Sequence, residues 1–309
     1  MRILVVGAGG IGGYFGGRLL QAGRDVTFLV RPRRAKLLTE NGFTIKSPLG
    51  DYRHPTPPLI TADRLDGTPY DLILLSCKAY DLADAMASFA PAVGENTLIL
   101  PLLNGMIHLE TLDDRFGAAH VLGGLCRISS GTDETGAILH FNRTNTLVFG
   151  ARAGGQAAEA GLIAEALGNA GFDLCHSQAI VQDMWDKWVF IAVTAGATCL
   201  MRAAVCDITK AGGAGVINGL FEECAAISAA AGFPPGEWPT KQKEASLLNP
   251  ESTQMASMLR DVERGGAVEA GHILGALLDR APCDDDAPLL TLAFMHLKAY
   301  EARRARERG

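Results

Sequence analysis

The chain is 309 residues long, room for about two domains. Its 48% hydrophobic and 20% charged residues are an ordinary globular balance, and a formal net charge of −6 speaks against a general nucleic-acid surface. No run reaches the roughly 18 apolar residues that span a bilayer and no signal-peptide stretch opens the chain, so a cytoplasmic protein without a membrane partner is expected.

Seven cysteines occur, an odd number with no C-x-x-C pair, and most sit among apolar residues. They are expected to be reduced, buried, small hydrophobes. The seven histidines lack metal-ligand spacing, so no metal site is expected.

Arg2-Ile-Leu-Val-Val reads as a buried strand, followed by Gly7-Ala-Gly9-Gly10-Ile11-Gly12 and a helical pattern. Gly7, Gly9 and Gly12 fit G-x-G-x-x-G between a strand and a helix, the context that marks a dinucleotide site. The first glycine makes the tight turn, the second admits the pyrophosphate, and the third lets helix pack on strand. The helix N-terminus then faces the phosphates. Gly16, four residues on, extends the bare helix face. Asp25–Val30 is the next strand, and Arg31 follows it with Pro32, Arg33 and Arg34. A carboxylate at this position reads a ribose 2′-hydroxyl, whereas a guanidinium suits a 2′-phosphate, so NADP(H) is the expected cofactor.

Residues 33–42 read as a helix and 43–60 as short strand pieces broken by prolines. Strands are expected at 70–76 and 97–100, with a helix at 81–91 between them. Lys78 and Asn104 fall just past the two strands, where parallel sheets bind ligands. Lys78 could reach a phosphate or ribose, or simply be solvated. Asn104 could bond the nicotinamide amide or the substrate, or merely form the Asn-Gly turn. Residues 120–150 read as a β-ribbon closing the sheet, 156–170 as a helix and 172–175 as a last strand. Beyond about 178 only helical patterns remain: 182–199, 213–231, 240–248, 252–264, 267–280, and from 289 onward. An α/β fold is expected, with a doubly wound dinucleotide-binding domain over 1–177 and an all-α domain over 178–309.

In the helical half, Lys187 lies between Trp185 and Trp188 in a mostly apolar helix. Desolvation would lower its pKa from about 10.4 and make it a general acid near neutral pH; a snorkelling lysine is the other reading. Ser257 and Asp261 share a helix face, Glu269 is expected to start a helix, and His272 follows.

Together these stretches resemble the ketopantoate reductase (2-dehydropantoate 2-reductase) family. The carrying residues are the Gly7–Gly12 loop, Arg31, Ser76-Cys-Lys78, Leu103-Asn104-Gly105, Trp185-Asp-Lys187, Ser257-Met258-Leu-Arg-Asp261 and Glu269. The resemblance implies a Rossmann domain and a helical domain of the 6-phosphogluconate dehydrogenase C-terminal type, with the active site in the cleft between them. It implies NADPH as hydride donor and a small 2-oxo acid as substrate, and it leaves room for a homodimer. It implies that Lys187 protonates the ketone oxygen and that Glu269 binds the substrate hydroxyl or orients the lysine. Ser257 would take the carboxylate, and Lys78 and Asn104 would sit by the nicotinamide ribose and substrate.

Four positions depart from the family pattern. Ile191 and Ala195 stand where asparagines are usual, Leu103 where a glutamine precedes Asn104, and Gln254 where another asparagine is typical. Ile191 and Ala195 follow Lys187 at i+4 and i+8, so two polar anchors become an apolar wall. The expectation is ketopantoate reduction. The alternatives are a paralogue acting on another, more apolar 2-oxo acid, or an NADPH-binding sensor without catalysis.

Overall fold

The computed structural model describes residues 1–152, 156–283 and 286–308. The chain divides into two compact units. The first comprises Met1–Leu103 and His108–Val181; the second comprises Asn104–Ile107 and Gln182–Gly309.

The first unit holds both sheets. Strands β1 (Arg2–Val6), β2 (Asp25–Leu29), β5 (Leu59–Ile60), β6 (Leu72–Leu75) and β7 (Leu98–Pro101) form a parallel sheet in the order β5-β2-β1-β6-β7. β6 and β7 are buried at every position and β1 at all but its first residue. That unbroken apolar run is what a central parallel strand covered on both faces requires. Helices α1 (Gly10–Gln21), α2 (Pro32–Asn41) and α3 (Leu82–Phe89) follow β1, β2 and β6.

A second sheet has the order β10-β9-β3-β4, with β8 also on β9. It is built from β3 (Phe43–Lys46), β4 (Tyr52–His54), β8 (Gly123–Thr132), β9 (Ile138–Gly150) and β10 (Asp173–His176). The ribbon expected to close the first sheet therefore belongs elsewhere; an isolated bridge from Ile99 to Val121 joins it to the first sheet's edge. Its turn is tied by the Asp133 carboxylate, which accepts from Thr135, Ala137 and Lys46. Those donors hold Asp133 down at a pKa of about 2.

α1 touches strands of both sheets through two stripes of glycine. On one, a Cβ at Gly12 would strike the Ser76 hydroxyl and the Gly7 carbonyl, and one at Gly16 would lie 2.7 Å from Phe28. On the other, a Cβ at Gly13 would lie 2.5 Å from Ile138, and one at Gly17 would lie 2.5 Å from Phe43 and 2.7 Å from Ile45. Backbone-to-side-chain packing at this range leaves no room for a methyl. Helices α4 (Ile107–Phe116) and α5 (Ala157–Leu167) complete the unit apart from short 3-10 turns. The sequence carries no clear mark of α4, because its residues are mixed in polarity and follow an Asn-Gly turn.

The second unit has helices and no strand among its described residues. α6 (Ile180–Met201) begins at the end of the first unit and supplies the second's longest buried helix. It is followed by α7 (Val205–Lys210), α8 (Ala214–Ala230) and α9 (Glu237–Gln242), the last continued by a π-helical turn Lys243–Leu247. α10 (Ser257–Glu263) starts later than the 252 expected. A second π-helical turn, Gly271–Gly275, runs into α11 (Ala276–Leu278), and α12 (Pro288–Arg308) ends the chain. Both carboxylate oxygens of Glu223 on α8 accept the Leu289 and Leu290 N–H groups, capping α12 with a negative charge where its dipole is positive. Among the described residues no helix is long and apolar enough to cross a membrane.

Among the described residues no cysteine is in a disulfide, and the cysteines are not uniformly buried. Cys126, Cys199 and Cys224 are core residues, and burial pushes the Cys199 thiol up to about 12 and Cys224 higher still. Cys175 and Cys283 are exposed, because they lie at a short edge strand and in a connector rather than on a core-facing stripe.

Candidate active site

In the first unit the expected cofactor residues lie together at the C-terminal edge of the parallel sheet. Gly7 has φ +92°, a left-handed conformation open to glycine, and its N–H bonds the Leu29 carbonyl at 3.0 Å. Ser76, past β6, donates to the Val6 and Gly7 carbonyls at 3.0 and 3.3 Å. The three strand ends are thus bonded into one floor.

Gly9 is the N-cap of α1, with no capping side chain and no acidic residue in the first turn. A Cβ built on Gly9 would meet nothing within 4 Å, so the approach to the helix's first N–H groups is open. A pyrophosphate fits this terminus, since an uncapped helix start of 12 residues keeps its orphan donors and its positive end for an anion. Gly10 faces differently: its Cβ would lie 3.0 Å from the Ser130 and Gly131 backbone of β8. Ile11 is half-buried and packs against the core of the unit.

One contributor to this loop escaped the sequence reading. The Arg34 guanidinium donates to the Ala8 carbonyl at 3.1 and 2.7 Å and to the Gly136 carbonyl at 2.8 Å. It ties the glycine loop to the β8–β9 turn, and its burial lowers its pKa. The sequence shows it only as one of three arginines within four residues.

Arg31, the N-cap of α2, is 65% exposed and donates to Asp81 at 2.8 Å, with Asp84 at 3.9 Å. The Asp81 hydrogen bond and charge raise its pKa. Lys78 is half-buried past the end of β6, where it caps the short 3-10 turn Ala79–Asp81.

In the second unit, Lys187 is 8% exposed on α6 and donates its Nζ proton to Asn104 Oδ1 at 2.9 Å. A buried ammonium needs such an acceptor. Asn104, read from the sequence as a group at the sheet edge, belongs to this unit and faces the lysine. It reaches there because Gly105 has φ +79°, and a Cβ on Gly105 would lie 3.0 Å from the His272 carbonyl.

Trp188 Nε1 donates to the Ile273 carbonyl at 2.9 Å, so α6 is fastened to the same π-helical turn. Such turns free backbone carbonyls for outside donors and recur at functional sites. Arg280 covers the Trp188 ring at 5.4 Å, and Trp185 stacks on Phe233 at 5.5 Å. Asp186, also buried, accepts from Gln182 and the Gly236 N–H, both at 2.9 Å, which fixes the loop after α8.

Glu269 is 9% exposed. It stands at the start of a helical run, as expected: its carbonyl accepts the Ile273 N–H at 3.0 Å, Ala270 is already helical, and the π-helical turn Gly271–Gly275 follows. Burial lowers the pKa of His272, and the charge of Glu269 opposes that shift. His272 is therefore a packed histidine on the turn that supports Asn104.

Ser257 opens α10 and is exposed. The preceding Ala256 N–H bonds Thr198 Oγ1 on α6 at 3.3 Å. Residues 187, 191, 195 and 198 share one stripe of α6, which at 1.5 Å per residue spans about 16 Å. Ile191 is half-buried and Ala195 is buried on that stripe, so it is apolar between the Lys187 and Ser257 ends. Leu103 is buried and Gln254 half-buried, the latter accepting the Val205 N–H through its backbone carbonyl at 3.0 Å.

An open glycine turn on a parallel sheet and a buried lysine on a helical unit are the equipment of a dinucleotide-dependent oxidoreductase. Comparison with known proteins agrees. Residues 3–154 match the family model of ketopantoate reductase PanE/ApbA, and residues 179–301 match that of its C-terminal domain. An uncharacterized oxidoreductase of Bacillus subtilis (strain 168), YkpB, is 34% identical over 98% of this chain and 100% of its own. The crystal structure of 2-dehydropantoate 2-reductase from Geobacter metallireducens GS-15 is 26% identical, with a TM-score of 0.88 over 97% of this chain and 99% of that one. D-mandelate dehydrogenase, solved with NADH and anilino(oxo)acetate, shares the fold with a TM-score of 0.87 at 19% identity, over 99% of both chains. The chain belongs to the ketopantoate reductase PanE/ApbA family and is an oxidoreductase.

Proposed function

We propose that the protein reduces the ketone of a 2-oxo acid to a hydroxyl, with 2-dehydropantoate as the substrate, pantoate as the product and NADPH as the reductant. NADPH, when bound, supplies the hydride that reaches the C2 carbon. The reading is carried by the buried Lys187 ammonium held on Asn104 Oδ1 at 2.9 Å. As hydride arrives, negative charge develops on the ketone oxygen. An ammonium aimed by a fixed acceptor stabilises that charge and then gives it a proton. Lys187 is the general acid, and Asn104 orients it and bonds the substrate. Glu269 binds the substrate's hydroxyl or orients the lysine, and Ser257 takes the carboxylate, aided by Lys78. Gly7, Gly9, Gly10, Ile11 and Gly12 form the dinucleotide turn, and Arg31, Lys78 and Asn104 are the polar residues assigned to the cofactor. Residues 1–177 are the cofactor domain and 178–309 the substrate domain.

A second substrate reading has its own support. The stripe from Lys187 toward Ser257 is apolar at Ile191 and Ala195 and offers no side-chain hydrogen bond there. It suits a 2-oxo acid with an apolar substituent better than one with a hydroxyl, and D-mandelate dehydrogenase shows the fold used for another substrate. Steady-state NADPH oxidation with 2-dehydropantoate and a panel of aliphatic and aryl 2-oxo acids separates the two. Turnover of 2-dehydropantoate with the highest kcat/KM supports the first; preference for an apolar homologue supports the second. Inactivity on every 2-oxo acid would refute both.

A further inference from the structure

Arg31 and Asp81 come from different strand ends. Arg31 follows β2 and caps α2, while Asp81 follows β6 and caps α3. β1 lies between β2 and β6 in the sheet, so the ion pair reaches across the end of the strand that feeds the glycine turn. The same Arg31 nitrogen, Nη2, lies 2.8 Å from Asp81 and 3.9 Å from Asp84. One guanidinium is thus faced by two carboxylates.

We propose that Asp81 is a specificity-determining residue at the adenosine end of the cofactor site, one that offsets Arg31 and makes the protein accept NADH alongside NADPH. The inference rests on the reading that the glycine turn holds a nicotinamide dinucleotide. A 2′-phosphate would compete for the guanidinium that Asp81 already holds through Nη2. Asp81 contests that nitrogen, and its charge, with that of Asp84, repels the phosphate. A ribose with a free 2′-hydroxyl meets the opposite situation. It can donate to a carboxylate, the partner that NAD sites use, while Arg31 stays paired. Arg31 and Asp81 are therefore readers of two different cofactors, set side by side. Because the pair is solvent-exposed, at 65% and 31%, it exchanges readily and does not lock either cofactor out.

Asp81 makes no side-chain cap bond to α3, so Asp81→Asn leaves the helix start intact. Dissociation constants for NADPH and NADH, measured by calorimetry on the full chain, test the proposal. The wild type is expected to bind both. D81N should tighten NADPH relative to NADH by on the order of tenfold. D84N should do so by less, since Asp84 is 85% exposed. R31A should shift the ratio the other way. If D81N moves both constants equally, or neither, Asp81 does not set specificity and the proposal falls while the dinucleotide site stands. If the wild type binds neither cofactor, the functional reading itself fails and takes the proposal with it.

Discussion

Lys187 is a charge that α6 buries among tryptophans, and the Asn104 amide oxygen accepts one of its protons. A neutral amide aims the group without itself opposing release of the proton. Asn104→Ala should therefore lower kcat by on the order of tenfold or more, with NADPH affinity unchanged. Equal kcat in the variant would remove Asn104 from the mechanism. Neighbouring His272 makes a second prediction. Its folded pKa is lowered by burial, so the unfolded chain binds a proton in a window where the folded chain does not. This contribution to stability is full above about pH 6.5 and is lost as pH falls through the lower folded value. Tm between about pH 7.5 and 5.5 should fall less in H272N than in the wild type. The sequence made Lys187 visible because a lysine between tryptophans breaks an apolar stripe. It could not reveal that Asn104 is its partner, because 83 residues separate them and only Gly105's left-handed turn brings the amide round.

At the level of elements, α1 carries the tightest packing. Gly13 and Gly17 face β9 and β3, while Gly12 and Gly16 face Ser76 and β2, so a methyl added on either side has nowhere to go. Gly17→Ala is expected to cost about 1–3 kcal/mol of stability. Gly161, in the middle of α5, has nothing within 4 Å of its Cβ position, and Gly161→Ala should stabilise by about 0.4–1 kcal/mol. Denaturant unfolding of the two variants checks both signs; destabilisation in both would contradict the packing account. The sequence displayed the glycines, and the motif explained Gly7, Gly9 and Gly12. It said nothing of Gly13 and Gly17, because their partners are in the second sheet. That sheet is itself not legible: the ribbon at 120–150 has the alternation of a strand pair but no local mark of which sheet it joins. Arg34 was hidden for the same reason, since its acceptors Ala8 and Gly136 lie on a loop and a turn far apart in sequence.

For the molecule as a whole, the α/β half and the helical half were legible from the change in hydrophobic period near residue 178. The division of labour follows from the contents of each unit. The first holds an open, uncapped helix start on a parallel sheet, and the second holds a buried lysine on a helix. If this division is right, the two functions separate by mutation. The direct test is to measure NADPH binding and 2-oxo acid reduction together in wild type and Lys187→Ala. The account predicts that the variant binds NADPH with unchanged Kd and loses on the order of 10²–10⁴-fold in kcat on whichever 2-oxo acid the wild type turns over. A variant that reduces the substrate at the wild-type rate would contradict the assignment of Lys187 as the proton donor.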